Sequence, residues 1–282
     1  MAKETHVLLV EDDFYARNWM ELLLRRDWRT RVVGEVSNPV ELSNAFISLN
    51  DQNGHADLVL IDTDHPNDPN WLPQVISSMA KHSPNSAILY TGVEPNLQNA
   101  NLMAQPNFAG YILKNEIRYS IAWAVSLAAE HHIVITPGVR NLLERTKPLP
   151  SGTLILDGRK PIPFMGLSEI EEKRSRLVFF FSMERLEFAD EERITEEYSN
   201  GLVSDLYNKI GLNDVLKGSV KPEDYFGNNP IVLAHINPAI KKVKLADEKS
   251  RQNSKKEKMV KVKEKESLAF HLLTLPVIEE IY

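Results

Sequence analysis

Three carboxylates, a hydroxyl and an amine terminate apolar runs in the first part of this chain. Glu11 and Asp12 follow Val7-Leu8-Leu9-Val10, and Asp62 follows Leu58-Val59-Leu60-Ile61. Thr91 ends Leu89-Tyr90, and Lys114 ends Gly110-Tyr111-Ile112-Leu113. If these runs are parallel strands, their carboxyl ends share one sheet edge, where such sheets hold ligands. The five groups then meet in one pocket. A carboxylate accepts a phosphoryl group only where the charge of both partners is offset. Glu11 and Asp12 offer hard oxygen ligands to Mg2+, and Asp62 is placed to be ligand and phosphoryl acceptor together. Lys114 offers an ammonium and Thr91 a hydroxyl to the phosphoryl oxygens, with Gly92 leaving room for the group. Asp64, two residues past the acceptor, adds negative charge and is a further candidate ligand. Any one of these residues alone is an ordinary solvated loop residue; their order on successive strand ends gives the set its meaning.

The elements that must position them alternate. Strands are predicted over 7–10, 31–36, 58–61, 87–90 and 110–113. Amphipathic helices are predicted over 14–26, 39–49, 72–82 and 116–130, with a weak one near 97–104. In the first helix Trp19, Leu22, Leu23 and Arg26 recur at helical spacing. The pattern is α/β: a doubly wound, five-stranded parallel sheet of flavodoxin-like type. A short helix over 138–145 and proline-rich stretches around a possible strand at 154–156 read as a linker. From 168 to 216 the pattern is helical. Lysine dominates 238–266, read as a solvated or partly disordered segment, and the chain ends on the apolar stretch 268–282. The expected division is 1–132, 133–166, 167–236 and 237–282: sheet domain, linker, mostly α-helical domain and basic extension.

The 282 residues fit two domains, and 43% hydrophobic and 26% charged content with a net charge of −6 describes no global bias toward nucleic acid. The chain has no cysteine, which excludes disulfides and thiolate chemistry. The opening residues run directly into a strand, and the longest apolar helical run, 121–129, is far shorter than the roughly 20 residues that span a bilayer. A soluble, cytoplasmic protein without membrane partners is expected. His131-His132 reads as a helix-end feature, and Phe179-Phe180-Phe181 as core.

The stretch 5–130 resembles the receiver domain of two-component response regulators. Glu11 and Asp12 match that family's acidic pair, Asp62 its phosphoacceptor, Thr91 its hydroxyl, Lys114 its lysine and Pro66 the proline of the following loop. Tyr111 matches the aromatic that, with Thr91, reports the phosphorylated state. The resemblance implies Mg2+, a partner histidine kinase, and a conformational change on the face of the fourth helix, fifth strand and fifth helix. It also implies homodimerisation on activation and no enzymatic activity beyond the domain's own phosphoryl transfer and hydrolysis. Two departures are Asn115, where proline is frequent, and Asp64. Asp62-Thr63-Asp64 also fits a haloacid dehalogenase-type phosphatase, but no later strand end carries the second acidic pair of that chemistry.

From 167 to about 215 the chain resembles a LuxR-type helix-turn-helix output domain, with Glu187–Glu191 in the first helix, Ile194-Thr195-Glu196 as the turn and Lys209-Ile210-Gly211-Leu212 at the end. Thr195 is a good N-cap and Gly211 a helix stop. The resemblance places Asn200, Gly201, Ser204 and Lys209 toward nucleic acid, with transcriptional control as the output. Yet no Lys or Arg lies between Thr195 and Asn208, and Glu196, Glu197 and Asp205 stand where phosphates would be. Positive charge is available from Lys173, Arg174, Arg176, Arg185, Arg193 and Lys209 around the helix. The alternative is a phosphorylation-switched adaptor whose output domain binds protein.

Overall fold

The computed structural model describes residues 4–64, 70–95, 102–105, 107–144, 148–159, 166–252 and 255–281, with the side chains of 251–259 also left aside. The chain packs as two units, one of residues 3–161 with 274–282 and the other of 162–273. The division differs from the expected one at both ends of the second unit.

In the first unit the strands are β1 (Thr5–Val10), β2 (Thr30–Val36), β3 (Leu58–Asp62), β4 (Ala87–Gly92) and β5 (Phe108–Leu113). Between and after them lie α1 (Phe14–Arg26), α2 (Pro39–Asp51), α3 (Trp71–His82), α4 (Lys114–Ile117) and α5 (Ile121–Ala129). Strands buried on both faces read as continuous apolar runs, and Leu58–Ile61 are all at most 1% exposed. Helix α1 packs with α5, and α2 with α3, which covers both faces of the sheet. Asp13 starts α1 by accepting from the Ala16 N–H at 2.7 Å, which fixes where the chain leaves β1.

The five expected strands run in the order β2-β1-β3-β4-β5, all parallel. The sheet then continues. β6 (Val134–Ile135), α6 (Pro137–Leu143) and β7 (Leu154–Asp157) occupy the stretch expected to be a linker, and β8 (Val277–Glu280) returns from the chain's end. β6 and β7 add in parallel and β8 pairs antiparallel with β7, for eight strands. Gly110 permits this extension: it sits at φ +152°, and a Cβ there would stand 2.0 Å from the Val134 carbonyl oxygen. The second unit is therefore an insertion between β7 and β8.

Two predicted helices differ. The 116–130 helix is broken at Arg118, whose φ of +46° separates α4 from a 3-10 turn leading into α5. The expectation near 97–104 lies partly outside the described residues, which show a single 3-10 turn over 102–104. Pro66 also lies outside them. His131 is a helix-end residue: at φ +70° it closes α5, its N–H donating to Ala128 O and that of His132 to Leu127 O.

The second unit is helical. It contains α7 (Glu169–Ser175), a π-turn (Arg176–Phe180), α8 (Arg185–Glu192), α9 (Glu196–Lys209), α10 (Leu212–Lys217), α11 (Pro222–Phe226), α12 (Pro230–Gln252) and α13 (Lys255–Leu273). α8 and α9 form the expected helix-turn-helix: Arg193 turns at φ +54°, Thr195 caps Tyr198 N–H at 3.2 Å, and Gly211 at φ +69° follows the end of α9. Phe179 and Phe180 are core, against Tyr207 and Phe270, while Phe181 is half exposed. The lysine-rich stretch is not a disordered tail. Its described residues fold into the paired helices α12 and α13, whose buried residues include Val232, Ile236, Ile240, Leu268 and Phe270. Two of its acids pair with its lysines, Lys242 with Glu264 at 3.0 Å and Lys261 with Asp247. No helix among the described residues is long and apolar enough to cross a membrane.

Candidate functional site

The carboxyl ends of β1, β3, β4 and β5 bring the predicted groups together. Lys114, at the turn from β5 into α4, reaches back across the edge. Its Nζ lies 2.7 Å from Glu11 Oε2 and 2.8 Å from Asp62 Oδ1. Glu11 is fully buried and Asp62 only 2% exposed, whereas Asp12 is open to solvent. One carboxylate oxygen from each of Glu11, Asp12 and Asp62 lies within 4.8 Å of the other two. Backbone contacts set these positions: Glu11 Oε1 accepts the Asp13 N–H at 3.2 Å, Glu11 O accepts Arg17 Nη1 at 2.6 Å, and Asp62 O accepts Trp71 Nε1 at 3.3 Å.

The electrostatics follow from burial. Desolvation, then the neighbouring Asp62 charge, pushes the Glu11 carboxyl up to about 7 against the pull of Lys114. Burial alone would lower Lys114, but the charges and hydrogen bonds of Asp62 and Glu11 outweigh it and hold the ammonium above the ordinary lysine value. One cation among three acids leaves net negative charge in hard oxygen donors, and that donor set fits Mg2+.

Thr91 is buried beside Asp62, and its hydroxyl makes only a long 3.4 Å bond to Ile61 O. Tyr111 is turned inward, 3% exposed, and its hydroxyl donates to Glu94 O at 3.2 Å. One expectation changes. Asp64 lies outside the acidic trio, its carboxylate accepting the Val93 N–H, because the chain after β3 turns toward the end of β4. Gly92 serves Tyr111: a Cβ there would stand 2.7 Å from the tyrosine hydroxyl and 3.1 Å from Thr63 Oγ1.

The neighbours of Lys114 are bonded to the segments around the added strands, of which sequence reasoning anticipated β7 as a possible strand but not β6 or β8. The neighbouring Leu113 N–H donates to the buried Thr136 Oγ1 at 3.1 Å. Glu116, 6% exposed, accepts the Gly138 N–H at 2.8 Å and lies 2.7 Å from Arg159 Nη1. A signal existed in Gly110, the glycine of β5, where a Cβ would meet the Val134 carbonyl.

On the second unit, Asn200, Gly201 and Ser204 share the exposed face of α9. Ser199, at a place normally apolar, is fully buried and bonded to Glu196 O at 2.7 Å and Arg185 O at 3.3 Å. The surrounding cations are largely neutralised within the unit. Lys209 pairs with Glu171 at 2.5 Å, Arg174 with Glu192 at 2.6 Å, Lys173 with Glu192 at 3.9 Å, Arg185 with Glu266 at 2.9 Å, and Arg176 with Glu172.

No protein-family model matches this chain, and no curated protein matches it in sequence. Among solved structures, it is similar to the RcsB response regulator of Salmonella typhimurium, at 17% identity and a TM-score of 0.43, covering 76% of this chain and 98% of that one. A structure of the two-component response regulator RcsB in complex with DNA matches at 18% identity and a TM-score of 0.42, over 74% of this chain and 93% of that one. A LuxR-family response regulator from Aurantimonas sp. matches at 18% identity and a TM-score of 0.43, over 51% of this chain and its own full length. These are low-identity likenesses.

Proposed function

We propose that the first unit is a phosphoryl-accepting receiver and that the chain works as a response regulator acting on DNA through its helix-turn-helix. The observation that carries this is Lys114 Nζ seated between the buried carboxylates of Glu11 and Asp62, with Asp12 completing the trio. An Asp62 oxygen attacks the phosphorus of a phosphohistidine on a partner histidine kinase. The O–P bond forms as the N–P bond breaks, and the imidazole leaves with the electron pair. Lys114 and the Thr91 hydroxyl bind the phosphoryl oxygens. Glu11, Asp12 and Asp62 would hold Mg2+, which when bound offsets charge on the acceptor and the incoming group.

The signal then leaves the pocket by a population shift. Thr91 moves toward the phosphoryl group and Tyr111 changes rotamer, with homodimerisation accompanying activation. The bonds of Leu113 to Thr136 and of Glu116 to Gly138 and Arg159 support a further route, from β5 into the strands that flank the inserted unit. Isothermal titration with Mg2+ tests the pocket: one ion per chain, weakened at least tenfold in Asp12→Asn, is expected.

A second reading, a phosphorylation-switched adaptor that binds protein, is favoured by one observation: five of the six cations offered around α9 are paired with carboxylates of their own unit. Affinity of the full chain for duplex DNA, measured against salt, separates the two. A DNA regulator shows a negative slope of log affinity on log salt that flattens in Lys209→Gln. An adaptor shows no slope.

A further inference from the structure

The sheet's other end, where β1 and β3 begin, carries a second cluster of chemistry-bearing side chains. His6 lies at the start of β1, and His55 and Asp57 lie in the turn leading into β3. Val7 pairs with Leu58, so strand register sets His6 beside Asp57. Two hydrogen bonds lock that placement: the His6 N–H donates to Asp57 Oδ2 at 2.9 Å, and the Asp57 N–H donates to His6 O at 2.9 Å. His55 Nε2 then stands 3.2 Å from Asp57 Oδ1, and His6 Nδ1 stands 3.8 Å from Asp57 Oδ2. The two imidazoles meet edge to face, 5.0 Å between centroids. One donor atom from each of the three residues falls within 4.8 Å of the others.

We propose that His6, His55 and Asp57 form a binding site for a divalent transition ion of the Zn2+ class. Two imidazole nitrogens with one carboxylate oxygen are the donors such ions take, whereas Mg2+ and Ca2+ favour shells of oxygen. Metal bonds of about 2.1 Å set tetrahedral donors roughly 3.4 Å apart, close to the His55–Asp57 spacing already present. The His55 ring is half exposed and already lies against His6. His6 Nδ1 is buried and makes no hydrogen bond, so a ring nitrogen facing the group is not committed elsewhere. Asp57 is held by the His6 N–H, which orients its carboxylate as supporting contacts do around metal ligands. His55 and Asp57 also line a groove of about 740 Å³, through which solvent and ions approach. Water completes the coordination. A bound ion would clasp β1 to the turn before β3, the two strands whose far ends carry Glu11 and Asp62.

The competing account is an ion-pair cluster, with imidazolium groups resting on Asp57. Isothermal titration of ZnCl2 into the chelator-stripped full chain at pH 7.5, with excess Mg2+ filling the acidic trio, decides between them. One Zn2+ per chain is expected, with affinity reduced at least tenfold in His55→Gln and in His6→Gln and unchanged in Asp12→Asn. Co2+ absorption gives a second readout, its visible bands weakening in His55→Gln. Circular dichroism confirms that the His55→Gln chain is folded, as its exposed position leads one to expect. Equal binding by wild type and both histidine variants, loss in Asp12→Asn alone, or no binding by the wild type would overturn the site.

Discussion

Replacing Lys114 with methionine keeps the volume of the side chain and removes its charge. Two carboxylates, 1% and 2% exposed at their side chains, then face each other without the ammonium that lies 2.7 and 2.8 Å from them. Removing one partner from a buried pair costs roughly 3–5 kcal/mol. Two features reduce this: the lysine is 23% exposed, and Glu11 can take up a proton because its carboxyl already sits at about 7. A loss of about 2–3 kcal/mol is expected in chelator at pH 8, or about 5–10 °C in the unfolding temperature of a domain this size. Mg2+ replaces the missing charge, so it should restore Lys114→Met by more than it stabilises the wild type. Differential scanning calorimetry with and without Mg2+ measures both. A variant within about 0.5 kcal/mol of wild type in chelator, or one no more responsive to Mg2+, would refute the electrostatic reasoning; surface substitutions typically fall inside that limit.

Gly92→Ala should cost about 1–3 kcal/mol in urea unfolding by driving a Cβ against the Tyr111 hydroxyl, and the penalty should shrink when Tyr111→Phe is added. Strict additivity would mean that the hydroxyl is not the obstacle. Lys209, then the Ser168 backbone and hydroxyl, hold Glu171 down at about 2, so its contribution is full above the unfolded value near 4.5 and is lost as pH falls from there toward 2. Glu171→Gln should flatten the acid limb of the second unit's stability curve, and an unchanged limb would count against the pairing. Deleting 276–282 removes β8 from β7, and should lower the first unit's transition by several degrees and promote association through the bared edge; an unaltered transition would deny β8 a stabilising part.

The first unit was largely legible because strands buried on both faces leave unbroken apolar runs, and because Glu11, Asp62, Thr91 and Lys114 end theirs in order. Of the added strands, β7 was legible as a possible strand at 154–156, but β6 and β8 were not. β6 is two residues long, and β8 reaches its partner from the far end of the chain, so neither has a local pattern. Asp64 was misassigned because spacing places it near the pocket without saying which atom it meets. The lysines of α12 and α13 concealed apolar residues that the fold buries, Ile236, Leu268 and Phe270 among them. The neutralised cations around α9 were equally hidden, since Arg185 meets Glu266 across a long stretch of sequence. His6 and Asp57 required strand register, a property of the folded sheet.

Incubating the full chain with acetyl phosphate and mapping the adduct by mass spectrometry tests phosphoryl capture most directly. One phosphoryl group per chain is predicted, formed only with Mg2+, borne by Asp62, absent from Asp62→Asn and diminished in Lys114→Met. Label on another residue, or label that survives Asp62→Asn, would contradict it.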